Sequence, residues 1–295
     1  MTDFLEQLKT RVMVVSIGLG VDMAKVGYSL SDNFAVWILE NPDPYKKVIK
    51  SYIDHGADIL FIGSSAANRL RLKHLGLEDQ AFRIARDGAK LGREVCPPNR
   101  YLCGGLGNLG QLLEPLGDIS YEEAYDSYKE QVLAMAEAGI DVVWIITMSE
   151  IQATEAAIRA VKDNTNLPVI ATMFFDSTPK GYRTIMGDGP KEVAEKLDKA
   201  GADLIGTNCG SIAPEQVTDV LREMDQVTNK PLAAKPNAGK PEIDRGKSVY
   251  HVSPEEMAAQ VPMWIENGAR VVGGCCGATV EHLSKMAEVV RQVIR

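Results

Sequence analysis

Cys209 and the adjacent pair Cys275–Cys276 are the residues of this sequence best suited to chemistry, and the pair poses a geometric problem. In an extended strand, neighbouring side chains point to opposite faces. Glycines flank the pair, however: Gly273 and Gly274 before it, Gly277 after it. Glycine lets the backbone leave extended geometry, so both sulfurs can swing to one side. With Cys209 they would complete a triangle of thiolates. Three sulfurs and one open position is the arrangement of a catalytic zinc, whereas a structural zinc has four protein ligands. A thiol bound at the open position would lose its proton and become a nucleophile at neutral pH. A buried unbonded pair and a strained vicinal disulfide are the alternatives that the spacing leaves open. Iron is disfavoured, because common iron–sulfur clusters take four cysteines.

The elements that must bring these thiols together are legible as a repeat. "YIDHGADILFIG", "MAEAGIDVVWII", "LDKAGADLIGTN" and "WIENGARVVGGC" each read as a helix end, a glycine, a polar turn and an apolar run. Gly56, Gly139, Gly201 and Gly268 would stop each helix in the left-handed conformation. The short Ile/Val-rich runs that follow suit parallel strands buried on both faces. Between them, "NRYLCGGL", "NLPVIATMFF" and "NKPLAAKPN" supply further strands, and "RVMVVSIGLG" supplies one near the start. Eight strands are predicted to begin near residues 12, 58, 101, 141, 168, 203, 231 and 270. With amphipathic helices between them, the expected fold is α/β, a single (β/α)8 TIM barrel over residues 1–295. A doubly wound open sheet is the other reading. Barrel sites form at the C-terminal ends of strands. Cys209 would sit after strand six and Cys275 and Cys276 after strand eight, next-but-one neighbours around the mouth.

Composition narrows the partners. A net charge of −8 argues against nucleic acid or anionic membrane. No apolar run approaches the roughly 20 residues of a membrane span, and the N-terminus reads as an amphipathic helix, so a cytoplasmic protein is expected. Five cysteines are an odd and sparse count for a disulfide framework. Cys96 and Cys103 read as small buried residues. His55, His74, His251 and His282 fall on predicted helices or loop starts, and most are expected to be solvated.

"GTNCG" at 206–210, followed by "GGCCGAT" at 273–279, resembles the zinc signature of the homocysteine methyltransferase family. That family includes betaine-dependent enzymes and the N-terminal module of cobalamin-dependent methionine synthase. The resemblance covers nearly the whole chain: "PDPYKKVIKSYIDHGADIL" is similar to the family's second unit, "RYLCGGLGNLG" to its third-strand glycine motif and "PNAGKP" to its seventh-strand motif. It implies that Cys209, Cys275 and Cys276 are zinc ligands and the catalytic centre. It also implies that Asn208 orients the site and that the chemistry is methyl transfer.

The pattern breaks where the family grips an amino acid. Ser16, in "SIGLGV" with Gly18, stands where the family has an aspartate. Ile146, before Thr147 in "WIITMSE", stands where it has a glutamate. The family's Glu-Thr-Asn-Thr-like stretch after strand two is "FIGSSAAN" here. An ammonium without a carboxylate partner loses a charge-assisted contact of about 1.5–3 kcal/mol. Asp22 could substitute only through a rebuilt loop. Met148, Trp144, Met173, Phe174 and Phe175 suggest an apolar, partly aromatic mouth, with at least one of the two phenylalanines facing inward. The expected substrate-facing residues are Ser16, Gly18, Ile146, Thr147, Met148, Phe174, Asn208 and Asn237.

The expected function is zinc-dependent methyl transfer between a small non-homocysteine substrate, such as an aryl methyl ether or a thioether, and a corrinoid. The chain ends directly after the barrel, so the corrinoid (cobalamin) is expected on a separate partner protein. A homocysteine S-methyltransferase making methionine with a rebuilt clamp, and a zinc-containing carrier without catalysis, are the alternatives. The loops at 176–190 and 238–253 are candidate lids or docking surfaces.

Overall fold

The structure, a computed structural model, describes residues 3–29, 31–244 and 247–293. Residues 1 and 2 of the expected N-terminal helix, and residues 245 and 246 of the second expected lid, lie outside the described residues. Eight parallel strands form the centre: β1 (Met13–Val14), β2 (Ile59–Phe61), β3 (Tyr101–Leu106), β4 (Val142–Met148), β5 (Val169–Met173), β6 (Leu204–Cys209), β7 (Leu232–Pro236) and β8 (Ala269–Val272). Around the sheet β1 pairs with β8, then the order descends to β2. A parallel bridge from Val15 to Ile59 joins β2 back to β1 and closes the sheet. The barrel is therefore the fold, and every strand starts within one residue of its predicted position.

The repeat has a second physical component besides its glycines, which take the left-handed conformation at φ 102°, 83°, 100° and 91°. Asp58, Asp141 and Asp203 stand just before β2, β4 and β6. Their carboxylates accept the N–H groups of Val14, Leu102 and Val169 at 3.0, 2.7 and 2.8 Å. Three of the four even strands thus satisfy a backbone donor of an odd neighbour. Basic side chains balance the three carboxylates: Arg11 and Arg100 on Asp58, Arg93 on Asp141 and Lys162 on Asp203. In the fourth repeat Arg270 takes the place of the aspartate.

Alternation along the strands divides the core in two. Val142, Trp144 and Ile146 of β4 point into the barrel, where they meet Met13, Ile59 and Val271. Val143 and Ile145 point out to the helices. The N-terminal helix Phe4–Thr10, capped by the Asp3 carboxylate on Leu5 and Glu6, closes the bottom. Its Phe4 and Leu8 join the interior cluster, and Phe4 meets Tyr101 edge-on at 5.1 Å. The opposite end is left for the strand-end loops. Both expected lids contain antiparallel hairpins there, Asp176–Thr178 with Gly181–Arg183 and Glu242–Asp244 with Lys247–Val249. Among the described residues no helix is long and apolar enough to cross a membrane.

Candidate metal centre

The barrel brings Cys209, Cys275 and Cys276 together at its mouth, with the three sulfurs all within 4.8 Å of one another. The Cys209 and Cys276 sulfurs are 3.9 Å apart. Zinc–sulfur bonds of ~2.3 Å in a tetrahedron require sulfurs about 3.8 Å apart, so this edge is that of a tetrahedral face. All five cysteines are free thiols, which removes the vicinal disulfide. Among the described residues no fourth His, Cys, Asp or Glu joins the group. The chemistry of the donor set, three thiols, fits a metal such as zinc.

Several contacts shape this triangle. Asn237 accepts from the Cys276 N–H at 3.1 Å and donates to the Gly210 carbonyl at 2.8 Å, so it ties the two cysteine loops together. Gly18 runs against the second loop: a Cβ there would lie 2.6 Å from the Cys275 carbonyl oxygen, so no larger residue fits without moving the turn. Asn208, buried beneath Cys209, accepts from the Thr147 N–H and the Thr172 hydroxyl and donates to the Thr147 hydroxyl. The Thr147 hydroxyl in turn lies 3.7 Å from the Cys209 sulfur. Thr147 and Cys209 hold φ of 56° and 53°, strained conformations for non-glycine residues. The Asn208 clamp over-determines the first of them.

Two contributors had no clear motif. Lys235 is 1% exposed inside the barrel and donates to the Gly274 carbonyl at 2.5 Å. The signal for it was a lysine at an inward position of the apolar run "PLAAKPN". Tyr250 comes from the long loop after β7; its ring lies where a side chain on Gly277 would be, and its hydroxyl feels the nearby Cys276. Burial first, then the neighbouring Cys276, push that hydroxyl's pKa up.

The thiols divide the proton load unequally. Cys275 is held well below the usual thiol range by hydrogen bonds from Cys209 and Cys276, with Lys235 adding attraction. Cys209 is pushed well up by Cys275, Cys276 and burial, in that order. Cys276 is pushed up to about 11: its contact with Cys209 lowers it, and Cys275 and burial outweigh that.

The remaining expected site residues separate. Ser16 is fully buried and its hydroxyl accepts from the Phe61 N–H at 2.9 Å, joining β1 to β2. Ile146 belongs to the barrel interior. Asp22 is already engaged, accepting from Tyr52 and paired with Lys25. Trp144 lies deep in the barrel and donates to Thr172. Met173 and Phe175 pack in the outer layer, as does Met148, which also lines the recess beside Glu150; Phe174 lies at the mouth beside Thr147. Cys96 and Cys103 are buried. Of the histidines, His55, His74 and His251 are exposed. His282 is buried: its Nδ1 accepts from the Thr279 N–H and its Nε2 donates to the Val252 carbonyl.

Fold and centre define a parallel barrel with three clustered cysteines, a set that could hold a metal ion, at its C-terminal face. The homocysteine S-methyltransferase family profile matches residues 13–290, and the chain belongs to that family. Relatives include the methionine synthases of Mycobacterium leprae (strain TN) and Mycobacterium tuberculosis (strain ATCC 25618 / H37Rv). Each is 27% identical, over 98% and 100% of this chain and 25% and 26% of the relative. The chain therefore spans about a quarter of the length of these curated relatives. Among solved structures, the metallated homocysteine methyltransferase MmuM from Escherichia coli superposes with a TM-score of 0.80 at 20% identity. That match covers 97% of this chain and 98% of the other. A methyltransferase from Methanosarcina mazei gives 0.62 at 12%, covering 99% and 98%.

Proposed function

We propose that the chain is a zinc-dependent methyltransferase that moves a methyl group between a small non-homocysteine substrate and a corrinoid held by a separate protein. One observation carries the choice of substrate. The positions where the family grips an amino acid hold Ser16, whose hydroxyl is consumed by the strand wall, and Ile146, which is interior core. Asp22, the nearest replacement in sequence, is spent on Tyr52 and Lys25. A homocysteine ammonium would be desolvated there without a carboxylate.

Cys209, Cys275 and Cys276 would hold the metal, with Asn208, Asn237 and Gly18 fixing their loops. Zinc in that position supplies Lewis acidity toward an oxygen or sulfur on its open side. The chain's own residues orient the substrate and exclude water. Thr147, beside the Cys209 sulfur, and Phe174 line an adjoining cleft, and Tyr250 covers the turn after Cys276. The heteroatom keeps the bonding pair when the methyl leaves, and the acceptor takes the methyl.

The test uses the zinc-loaded chain with methoxyarenes or small thioethers and a reduced corrinoid, following demethylated product. Demethylation is the expected result, and it should vanish in Cys276→Ala together with the bound zinc. Tight homocysteine binding, with its sulfur coordinated when cobalt replaces zinc, would overturn the substrate assignment in favour of methionine synthesis.

A further inference from the structure

Beside Thr147 the mouth opens into a cleft of ≈ 560 Å³ bordered by Phe174, Leu112, Leu116, Ile185 and Met186. Leu116 and Ile185 are 65% and 71% exposed, unusually open for large apolar side chains. A second, smaller recess of ≈ 220 Å³ shares Asn108, Leu112 and Ser149 with the first and contains Glu150. Among the described residues, Glu150 is the one ionisable residue bordering either space, and no lysine or arginine does. Its Oε1 accepts from the Leu113 N–H at 3.2 Å, and among the described residues Oε2 has no hydrogen-bond partner. The side chain is 9% exposed, and burial raises its pKa, the behaviour of a carboxylate short of a counter-charge.

We infer that this composite cleft binds the methylated substrate, and that the substrate has an apolar or aromatic body and an amine head that pairs with Glu150. The inference rests on the methyltransferase reading above. Thr147 and Glu150 are three residues apart, so their Cα atoms are no more than about 11 Å apart. A ring with substituents at its two ends is of a size to fit within that bound. A methoxy group at the Thr147 end would then lie beside the thiol cluster while the amine reaches the carboxylate. The Arg71 guanidinium is engaged by the wall residue Asn108, so a carboxylate-headed ligand would be desolvated against Glu150 with no basic lining residue to compensate. The same lack disfavours an amino-acid zwitterion, whose carboxylate would find no partner.

Calorimetric titration of the zinc-loaded chain with 4-methoxybenzylamine, anisole and 4-methoxybenzoate tests this directly. The amine is expected to bind at least about tenfold more tightly than the benzoate. Glu150→Gln keeps an acceptor for the Leu113 N–H, and it should bring the amine within about twofold of anisole. Phe174→Ala should weaken all three probes together. Equal or tighter binding of the benzoate to the unaltered chain, or an amine affinity that Glu150→Gln leaves unchanged, overturns the inference. If the amine preference holds but no methyl reaches a corrinoid, the cleft assignment stands and the methyltransferase reading falls. If anisole and the benzoate are demethylated as well as the amine, the reverse follows.

Discussion

At the scale of single residues, the three thiols form a site whose metal affinity must depend steeply on pH. Zinc binds thiolates, so any proton on a ligand has to leave first. Cys275 is already stabilised as thiolate, while Cys209 is pushed well up and Cys276 up to about 11. Protons on these thiols must therefore leave when zinc binds near neutral pH. The affinity should rise with pH above neutrality. Chelator competition at several pH values measures this, and a slope near zero would contradict the coupling. Lys235 bears on the same charge balance. Three thiolates and a zinc carry one net negative charge, and the ammonium beneath them offsets it while holding the Gly274 carbonyl. Lys235→Met keeps the apolar stem but leaves the buried Gly274 carbonyl without its donor, so folding stability should fall by about 1–3 kcal/mol. Zinc affinity should also fall by about 10–100-fold, the usual effect of removing a supporting partner from a metal site. The thiols themselves were legible from residue type and spacing. Lys235 and Tyr250 were not, because a single lysine in a strand or a tyrosine in a long loop has no pattern until the barrel decides where it lies.

At the scale of the elements, the repeated glycine and aspartate do different work. The glycine ends the helix, and this was readable because left-handed backbone favours one residue type. The aspartate's role was not readable, since its partner lies on a different strand: Asp141 reaches Leu102, 39 residues away. The same distance effect explains the mouth. Trp144 and Ile146, expected at the mouth, lie in the barrel interior instead, and Thr147 takes φ 56°, where the strand alternation ends, so Met148 turns to the outer layer. His282 shows the limit from the other side. It lies on a helix, as expected, yet the Val252 carbonyl holds it buried. The aspartates give a clear prediction. Asp141→Ala leaves the Leu102 N–H without its acceptor and Arg93 without its partner. It should cost about 1–3 kcal/mol in urea denaturation, with zinc affinity unaltered because the residue sits at the strand starts, away from the cysteine loops.

Across the whole molecule, the barrel separates stability from chemistry by placing them at opposite ends. The bottom is sealed by the helix Phe4–Thr10, whose Phe4 and Leu8 complete the interior cluster. The top carries the strained Thr147 and Cys209, the exposed Leu116 and Ile185, and both hairpins. Eight strands were countable in the sequence because each buried parallel strand is a short apolar run. Closure followed from their number, and the cysteine triangle followed from closure. The lining of the open side did not, because it depends on loops that no period constrains. The division between the ends makes a prediction that neither end makes alone. Phe4→Ala removes a buried ring from the bottom, including its edge contact with Tyr101, and should cost about 3–5 kcal/mol of folding stability. The cysteine loops hang from the far ends of strands whose pairing the substitution does not touch. Zinc affinity below the melting transition should therefore stay within about twofold of the unaltered chain, a difference of about 0.4 kcal/mol. Asn237→Ala should give the opposite result: a small loss of stability, and a large loss of affinity as the Gly210 and Cys276 loops separate. Thermal melts paired with chelator competition on the two variants test the division, and a matched loss of affinity in Phe4→Ala would show that the two ends are coupled through the barrel.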